Sequence, residues 1–248
     1  EEPIMALPKL NVPVYEAILP STDKVIKYRP FLVREEKILL TAMEDGDEKV
    51  ITNAVKQILK NCIQGELNID ELPTFDVEFM FLRLRAKSVG EKITVGLKPY
   101  PCVQNDGGLC KFSTEVEINL EEVKVKKNEN HTSKIMIDDK VGIKLKYPDI
   151  SLISPDDNKE KLSQVDIGMN VIKKCIDMIF TSESVHERDS FTDEDLDEFL
   201  DSLSSEQFEK IKQFFDTIPK LSHTAKYTCK TCGEEKETTI EGLNSFFG

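Results

Sequence analysis

The sequence lacks the features that mark membrane-spanning and secreted proteins. No stretch approaches the roughly 20 consecutive apolar residues that a bilayer-spanning helix needs. The opening residues, EEPIMA, contain neither the basic nor the apolar region of a signal peptide. The chain has 6 unevenly spaced cysteines in 248 residues, which is not the pattern of a disulfide framework. We therefore expect a soluble protein of a reducing cytoplasm, without membrane insertion.

Recognisable catalytic motifs are also missing. The 3 histidines are His131, His186 and His223, and none belongs to a motif with a Ser or Cys nucleophile. The chain has no glycine-rich phosphate loop and no His-Glu-x-x-His helix. The acidic run at 189–201 lacks the central glycine and the twelfth-position glutamate of a calcium loop, and its apolar spacing predicts a helix. The sequence predicts no enzyme and no small-molecule substrate.

The charge balance is strongly acidic. The chain carries 33 Lys and Arg against 46 Asp and Glu, a net charge of −13. Such a surface repels phosphate backbones, so nucleic-acid binding would need a local basic patch. The best candidate is a set of lysines on alternating positions of predicted strands, where exposed lysines also protect sheet edges. These are Lys124, Lys126, Lys127, Lys140, Lys144 and Lys146. The excess of acidic residues favours other proteins as binding partners.

One motif carries specific chemistry, the turn Cys229-Lys-Thr-Cys232-Gly. Its spacing lets two thiolates face one Zn²⁺, and the following glycine relieves a tight backbone. A structural zinc site takes four ligands, and the other closely spaced cysteines are Cys102 and Cys110. The sequence predicts a Cys₄ zinc site formed by Cys102, Cys110, Cys229 and Cys232.

Alternatives to this site remain open from the sequence. The Cys-x-x-Cys pair could be free thiols, a disulfide or a redox pair, although the polar and β-branched residues that follow it indicate a hairpin strand. His223 is a substitute ligand if one loop cysteine does not reach the metal. Cys62 and Cys175 lie inside apolar helical patterns and are predicted to be core residues.

Residues 1–13 form the first unit of the chain and contain three prolines, so neither a helix nor a central strand is expected. This segment is either a frayed terminus or an extended arm on a partner. The partner contacts of such an arm would be its apolar side chains, Ile4, Met5, Leu7 and Leu10.

Residues 14–150 are predicted to be an α+β region. A hairpin at 14–28 is followed by helices at 34–44, after 47, and from about 74. In the first helix Ile38, Leu39, Ala42 and Met43 are expected on the core face. Residues 92–148 then alternate apolar and polar positions in five runs, which predicts a central antiparallel meander with one exposed face.

The rest of the chain is predicted to be helical and then to close with a small zinc-ribbon-like hairpin. Residues 151–221 carry helical stripes, including a long one at 162–179, and helix starts near Thr192 and Ser205. Residues 222–248 form the hairpin, expected to dock on the 92–148 sheet. Phe246 and Phe247 are either its last core residues or a hook for a partner.

Two segments resemble the T4-like bacteriophage baseplate protein family. The first comprises residues 7–15 (LPKLNVPVY) and 28–40 (YRPFLVREEKILL), and the second comprises 227–233 (YTCKTCG) and 240–247 (IEGLNSFF). The resemblance is specific at both ends and loose in the middle, and it follows the order of elements along nearly the full length.

The resemblance implies a protein of the baseplate hub or of hub assembly in contractile-tailed phages, and it implies no catalytic activity. Its partners would be other baseplate or tail-hub proteins. It would be located in the host cytoplasm during assembly and, if retained, in the virion tail. Two alternatives stay open: a transient assembly chaperone that leaves before the particle is complete, and a zinc-ribbon nucleic-acid protein, which the net charge disfavours.

Overall fold

The chain alternates short helices with antiparallel strands. The computed structural model describes residues 10–97, 114–152, 163–229 and 233–246. In these ranges no helix is long and apolar enough to cross a membrane. The predicted α+β class is confirmed, since the described residues form twelve strands and six α-helices. The helices are α1 (Val33–Asp45), α2 (Glu48–Cys62), α3 (Thr74–Ser88), α4 (Gln164–Cys175), α5 (Asp193–Asp201) and α6 (Ser205–Asp216).

The strands form four separate antiparallel sheets in the described residues. The sheet orders are β1-β2-β3, β4-β5, β12-β11-β6 and β10-β9-β8-β7. The strands are β1 (Tyr15–Ile18), β2 (Val25–Tyr28), β3 (Ile63–Gln64), β4 (Lys92–Leu97), β5 (Thr114–Asn119), β6 (Lys124–Lys126), β7 (Lys134–Met136), β8 (Val141–Leu145), β9 (Ile176–Thr181), β10 (Val185–Glu187), β11 (Lys220–Thr228) and β12 (Glu235–Glu241).

The single central meander predicted at 92–148 is wrong, although its strands exist. Strands β4 and β5 pair with each other, whereas Val125 of β6 pairs with Leu221 of β11. Ile143 of β8 lies between Ile135 of β7 and Ile179 of β9. Alternation defines which residues form strands, but it does not encode the pairing partner. The predicted terminal hairpin, β11–β12, thus shares a sheet with β6 of this region.

The long helical stripe predicted at 162–179 is also only partly helical. Helix α4 ends at Cys175, and Ile176 is already extended and begins β9. Ile172, Cys175, Ile176 and Ile179 fit helical spacing, but Ile176, Met178 and Phe180 equally fit the two-residue period of a strand. Pairing of β9 with both β8 and β10 decides the outcome.

Side-chain caps begin several of these helices. Helix α5 starts at Thr192, whose hydroxyl accepts from the Asp195 N–H at 3.2 Å while Asp195 accepts from the Thr192 N–H at 2.7 Å. Helix α6 starts with the same reciprocal arrangement between Ser204 and Gln207. The acidic run near Asp195 is therefore a capped helix with Leu196 in the core, as its spacing predicts.

Three clusters of buried side chains stabilise the described residues, and α3 contributes to two of them. The first cluster joins β1, β2, α1, α2 and α3, with Phe81 and Leu84 from α3. The second joins α3, through Leu82 and Ala86, to β4, β5, β11, β12 and the turn at 243–246. The third combines β7, β8 and β9 with α4, α5 and α6. The third cluster thus contains residues from both sides of residue 150, and the domain boundaries stay a prediction.

A buried ion pair ties the first strand pair to two helices. Glu35 has no exposed surface, and it accepts from Arg29 Nη2 at 3.0 Å and from the Leu32 N–H at 2.9 Å. Arg29 also donates to the carbonyl of Asn61, near the end of α2, at 3.0 Å. Burial acts to raise the pKa of Glu35, but hydrogen bonds from Arg29, Leu32 and Arg34 outweigh it and lower the pKa to about 2.

We expect Glu35→Gln to lower the free energy of unfolding by about 2–3 kcal/mol at neutral pH, because the half-buried Arg29 loses its anion. Urea denaturation measures this loss. The folded-state pKa lies below the ordinary value of 4.5, so the advantage of the wild type is complete above pH 4.5 and disappears as the pH falls from there to about 2.

The matched control is Glu36→Gln, at the exposed neighbouring position, which should change the free energy of unfolding by less than about 0.5 kcal/mol. A loss below about 1 kcal/mol for Glu35→Gln, or a difference from the wild type that persists at low pH, would contradict the assigned role.

His131 is enclosed by aromatic rings beside the third cluster. Its ring centroid lies 5.4 Å from that of Tyr147 and 4.9 Å from that of Phe214. Its Nδ1 lies 2.9 Å from Thr217 Oγ1, and that hydroxyl donates to the Gln213 carbonyl at 2.7 Å. Nδ1 therefore carries the proton, and Nε2 is a buried acceptor without a partner among the described residues. Burial lowers the pKa of His131.

A lowered pKa makes stability depend on pH near neutrality. The His131 side chain takes up a proton more readily in the unfolded chain than in the folded chain. The contribution of neutral His131 to the free energy of unfolding is therefore complete above pH 6.5 and is lost as the pH falls below that value. We expect the melting temperature of His131→Phe to fall less steeply than that of the wild type as the pH is lowered below 6.5. His186→Gln, at an exposed histidine, serves as control and should follow the wild type. Parallel curves for wild type and His131→Phe would refute the prediction.

Candidate metal knuckle and interaction surfaces

The hairpin of β11 and β12 ends at the Cys-x-x-Cys turn. Thr228 and Glu235 are the last paired residues. Beyond them the Cys229 N–H donates to the Glu234 carbonyl at 2.9 Å, and the Gly233 N–H donates to the Cys229 carbonyl at 2.8 Å. Gly233 has φ +71°, in the left-handed region that glycine adopts without strain. Cys229 is only 5% exposed. Cys229 and Gly233 thus close the end of the hairpin, and we call Cys229 to Gly233 the knuckle.

The other three predicted ligands, Cys102, Cys110 and Cys232, lie outside the described residues. Within the described ranges, no three His, Cys, Asp or Glu side chains are grouped so that they could hold a metal ion. The four-cysteine site therefore stays a prediction.

The strands on either side of residues 98–113 bear on this prediction. Leu97 ends β4 and pairs with Thr114, the first residue of β5. Leu97 and Tyr227 both pack against the second cluster, and Tyr227 lies two residues before the knuckle. The residues that flank the segment containing Cys102 and Cys110 therefore border the same cluster as the strand that leads to Cys229.

His223 cannot substitute for a cysteine ligand, which corrects the sequence-based alternative. It lies in the continuous strand β11 and pairs with Ile240, whereas Cys229 follows six residues later beyond the end of that strand. At about 3.3 Å per residue this separation is about 20 Å. Two ligands of one Zn²⁺ each lie about 2.0–2.3 Å from the metal, so His223 is too far away.

Cys62 and Cys175 are core residues, as predicted. Both are 0% exposed, Cys62 in the first cluster and Cys175 in the third. Burial raises the pKa of Cys62 to about 11 and that of Cys175 to about 12. These thiols are therefore protonated at neutral pH and are poor nucleophiles and metal ligands.

The predicted partner-binding arm falls mostly outside the described residues. Ile4, Met5 and Leu7 are not among them. Leu10 is described and is 88% exposed. An exposed leucine next to the edge strand β1 is compatible with partner contact, and the role of the arm stays a prediction.

The proposed aromatic hook is corrected for Phe246. This side chain is 2% exposed and belongs to the second cluster, together with Leu120, Leu221 and Ile240. It therefore completes the core of this chain and does not present its ring to a partner. Phe247 lies outside the described residues.

Helix α1 carries an apolar surface that the sequence pattern did not reveal. Val33, Leu40 and Met43 lie on one side of the helix by their spacing and are 65%, 53% and 46% exposed. Met43 was predicted to face the core, whereas Leu39 and Ala42 are the buried residues. We call Val33, Leu40 and Met43 the α1 outer face. The sequence contained one indication of this surface, because Val33 and Leu40 are apolar and lie outside the predicted core stripe.

The predicted lysine patch is divided between two sheets. Lys124 and Lys126 belong to β6, which pairs with β11, whereas Lys144 belongs to β8. Lys144 forms an ion pair with Asp177 at 2.6 Å. These lysines therefore do not line one continuous strand face, and Lys144 has its charge balanced locally.

The family model described as T4 bacteriophage base plate protein matches residues 12–248, which include the first hairpin, all three clusters and the knuckle. Neither the curated proteins nor the solved structures contain a match to this chain. Because the matched range is nearly the whole sequence, the chain belongs to the T4 bacteriophage base plate protein family.

Proposed function

We propose that this chain is a non-enzymatic structural component of the baseplate hub that stays in the assembled phage tail. The observation that carries the proposal is the family match over residues 12–248, which makes the chain a baseplate protein whose contacts are with other baseplate proteins. The hub position and retention in the particle are our extension of that membership.

The α1 outer face supports a role in protein contacts. Val33, Leu40 and Met43 share one side of α1 and are 46% to 65% exposed, and apolar residues at the centre of a contact provide most of its stabilisation. In a baseplate protein the natural occupant of such a face is a neighbouring baseplate subunit. The exposed Leu10 provides a second apolar contact point near the first sheet.

A structural Zn²⁺ is the second part of the proposal. The ligands would be Cys102, Cys110, Cys229 and Cys232, with four thiolates and no open position for a substrate. Binding would connect residues 102–110 to the β11–β12 hairpin. Because the site would exist only in the folded chain, the free energy of metal binding would add to folding stability. The buried Cys229 and the tight Gly233 turn support this arrangement.

A transient assembly chaperone is the competing function. The net charge of −13 favours it, because an acidic protein can cover a basic client and then release it. The two functions differ in one observable, namely whether the protein is present in finished tails.

Purified tails of the phage that encodes this chain decide between them. Quantitative mass spectrometry should find the protein in a fixed ratio to other baseplate subunits. Leu40→Asp should reduce incorporation about tenfold or more, because a charge on the α1 outer face is unfavourable in an apolar contact. The melting temperature of Leu40→Asp should stay close to the wild type, since the side chain is exposed.

Val165→Asp is the control, since Val165 is 74% exposed on α4 and lies away from α1. It should be incorporated normally. Absence of the wild-type protein from finished tails would exclude a retained component and support the chaperone. Normal incorporation of Leu40→Asp would remove the α1 outer face from the proposal.

Native mass spectrometry tests the zinc part independently. The wild type should carry one zinc, and Cys232→Ser should lose it together with more than about 5 °C of melting temperature, or about 2 kcal/mol. Cys62→Ala is the matched control: it removes a buried core cysteine and should lower the melting temperature with the zinc retained. A Cys232→Ser protein that melts normally and still binds one zinc would exclude the Cys₄ site.

A further inference from the structure

A cleft opens where three parts of the chain meet beside α3. Its volume is about 400 Å³, within the range of sites that bind small groups. It lies between the first turns of α3, the segment after β8, the link from α6 to β11, and the end of β12. The lining residues are Thr74, Phe75, Glu78, Pro148, Ile218, Pro219, Lys220, Glu241 and Gly242.

The walls of the cleft are mostly apolar. Phe75 and Pro219 are buried, and Pro148 and Ile218 are half-buried. The Phe75 ring is held edge-on against Tyr147, with ring centroids 5.1 Å apart. These rings and aliphatic groups form a surface suited to the hydrocarbon stem of a long side chain.

Two carboxylates are the acidic groups of this otherwise apolar cleft. Glu78 is half-buried, and its Oε1 accepts a hydrogen bond from the Leu243 N–H at 3.4 Å. Burial raises the pKa of Glu78, and among the described residues no cation approaches it to offset this effect. Glu241 is exposed at the mouth. Lys220 also lines the mouth, but within the described ranges it forms no ion pair with either carboxylate.

We propose that this cleft binds an arginine side chain of a neighbouring baseplate protein. The guanidinium group would pair with Glu78, whose carboxylate has no cationic partner, while the stem would lie against Phe75 and Ile218. Arginine fits better than lysine, because its planar group binds a carboxylate through two parallel hydrogen bonds and stacks on aromatic rings. The inference rests on the proposed function, which supplies protein neighbours, and the strongly acidic chain favours a basic partner group.

The test titrates the ¹⁵N-labelled full chain with N-acetyl-L-arginine amide and, in parallel, with the neutral isostere N-acetyl-L-citrulline amide. Saturable shifts of the Gly242 and Leu243 amide signals are expected with the arginine probe. Binding should be about tenfold weaker for the citrulline probe and for Glu78→Gln, because the charge-assisted pair is lost. Glu66→Gln, at an exposed carboxylate outside the cleft, should bind like the wild type.

Glu241→Gln provides a second variant at an exposed position, where a folding defect is not expected, and it should weaken binding about threefold as a rim charge. Absence of saturable shifts, or equal affinity for the two probes, overturns the proposal. If the probe binds but Glu78→Gln is incorporated into tails normally, the cleft is not an assembly contact, which also overturns it. The titration uses the isolated chain and tests only the arginine site. The proposed function is tested separately, by the presence of the wild-type protein in finished tails.

Discussion

The fold depends on the burial of α3, which lies between two hydrophobic clusters. Phe81 and Leu84 pack into one cluster and Leu82 and Ala86 into the other, so little of the helix surface remains for water. Polar side chains on such a helix need partners from other elements. Arg83 meets this need by donating to the carbonyls of Leu120 and Val123, and Asp76 accepts from Ser21. These bonds fix the first hairpin and the β5–β6 turn relative to the helix.

The burial of α3 also determines where the α1 outer face and the cleft lie. With α3 in the interior, α1 forms an outer layer of the first cluster, and this exposes the α1 outer face. The first turns of α3 border the α6–β11 link and the end of β12, and the cleft with Glu78 lies there. Cys229 and Gly233 lie at the tip of β11 and β12, beyond Tyr227, which packs on the second cluster.

Local features were predictable from the sequence because they are encoded by neighbouring residues. The hairpin at 15–28, helices α1 to α3 and the cap at Thr192 follow from turn residues, apolar period and capping chemistry. The pairing of Val125 with Leu221 depends on residues nearly a hundred positions apart and has no local signature. The strand at Ile176 was missed because its apolar positions satisfy two periods at once.

The same distinction applies to the site. The Cys229 turn is a local motif and was recognisable, whereas the burial of Phe246 depends on packing against distant residues such as Leu120 and Leu221. The exposure of Met43 was missed because the apolar stripe of a helix covers a broad arc of its surface. A residue at the margin of that arc can be either buried or exposed. The cleft has no sequence signature, because Glu78, Pro148 and Glu241 come from three distant segments.

The composition of the second cluster has a consequence for synthesis of the chain. Leu82, Ile93 and Ile118 are translated before Leu221, Ile240 and Phe246, with which they share the cluster. A nascent chain can therefore complete the first cluster, apart from Ile150, from residues 19–84, while the apolar faces of β4 and β5 stay open until residues 221–246 have been translated. A chain that stops before residue 221 would carry an exposed apolar sheet, and such surfaces make incomplete chains prone to aggregation.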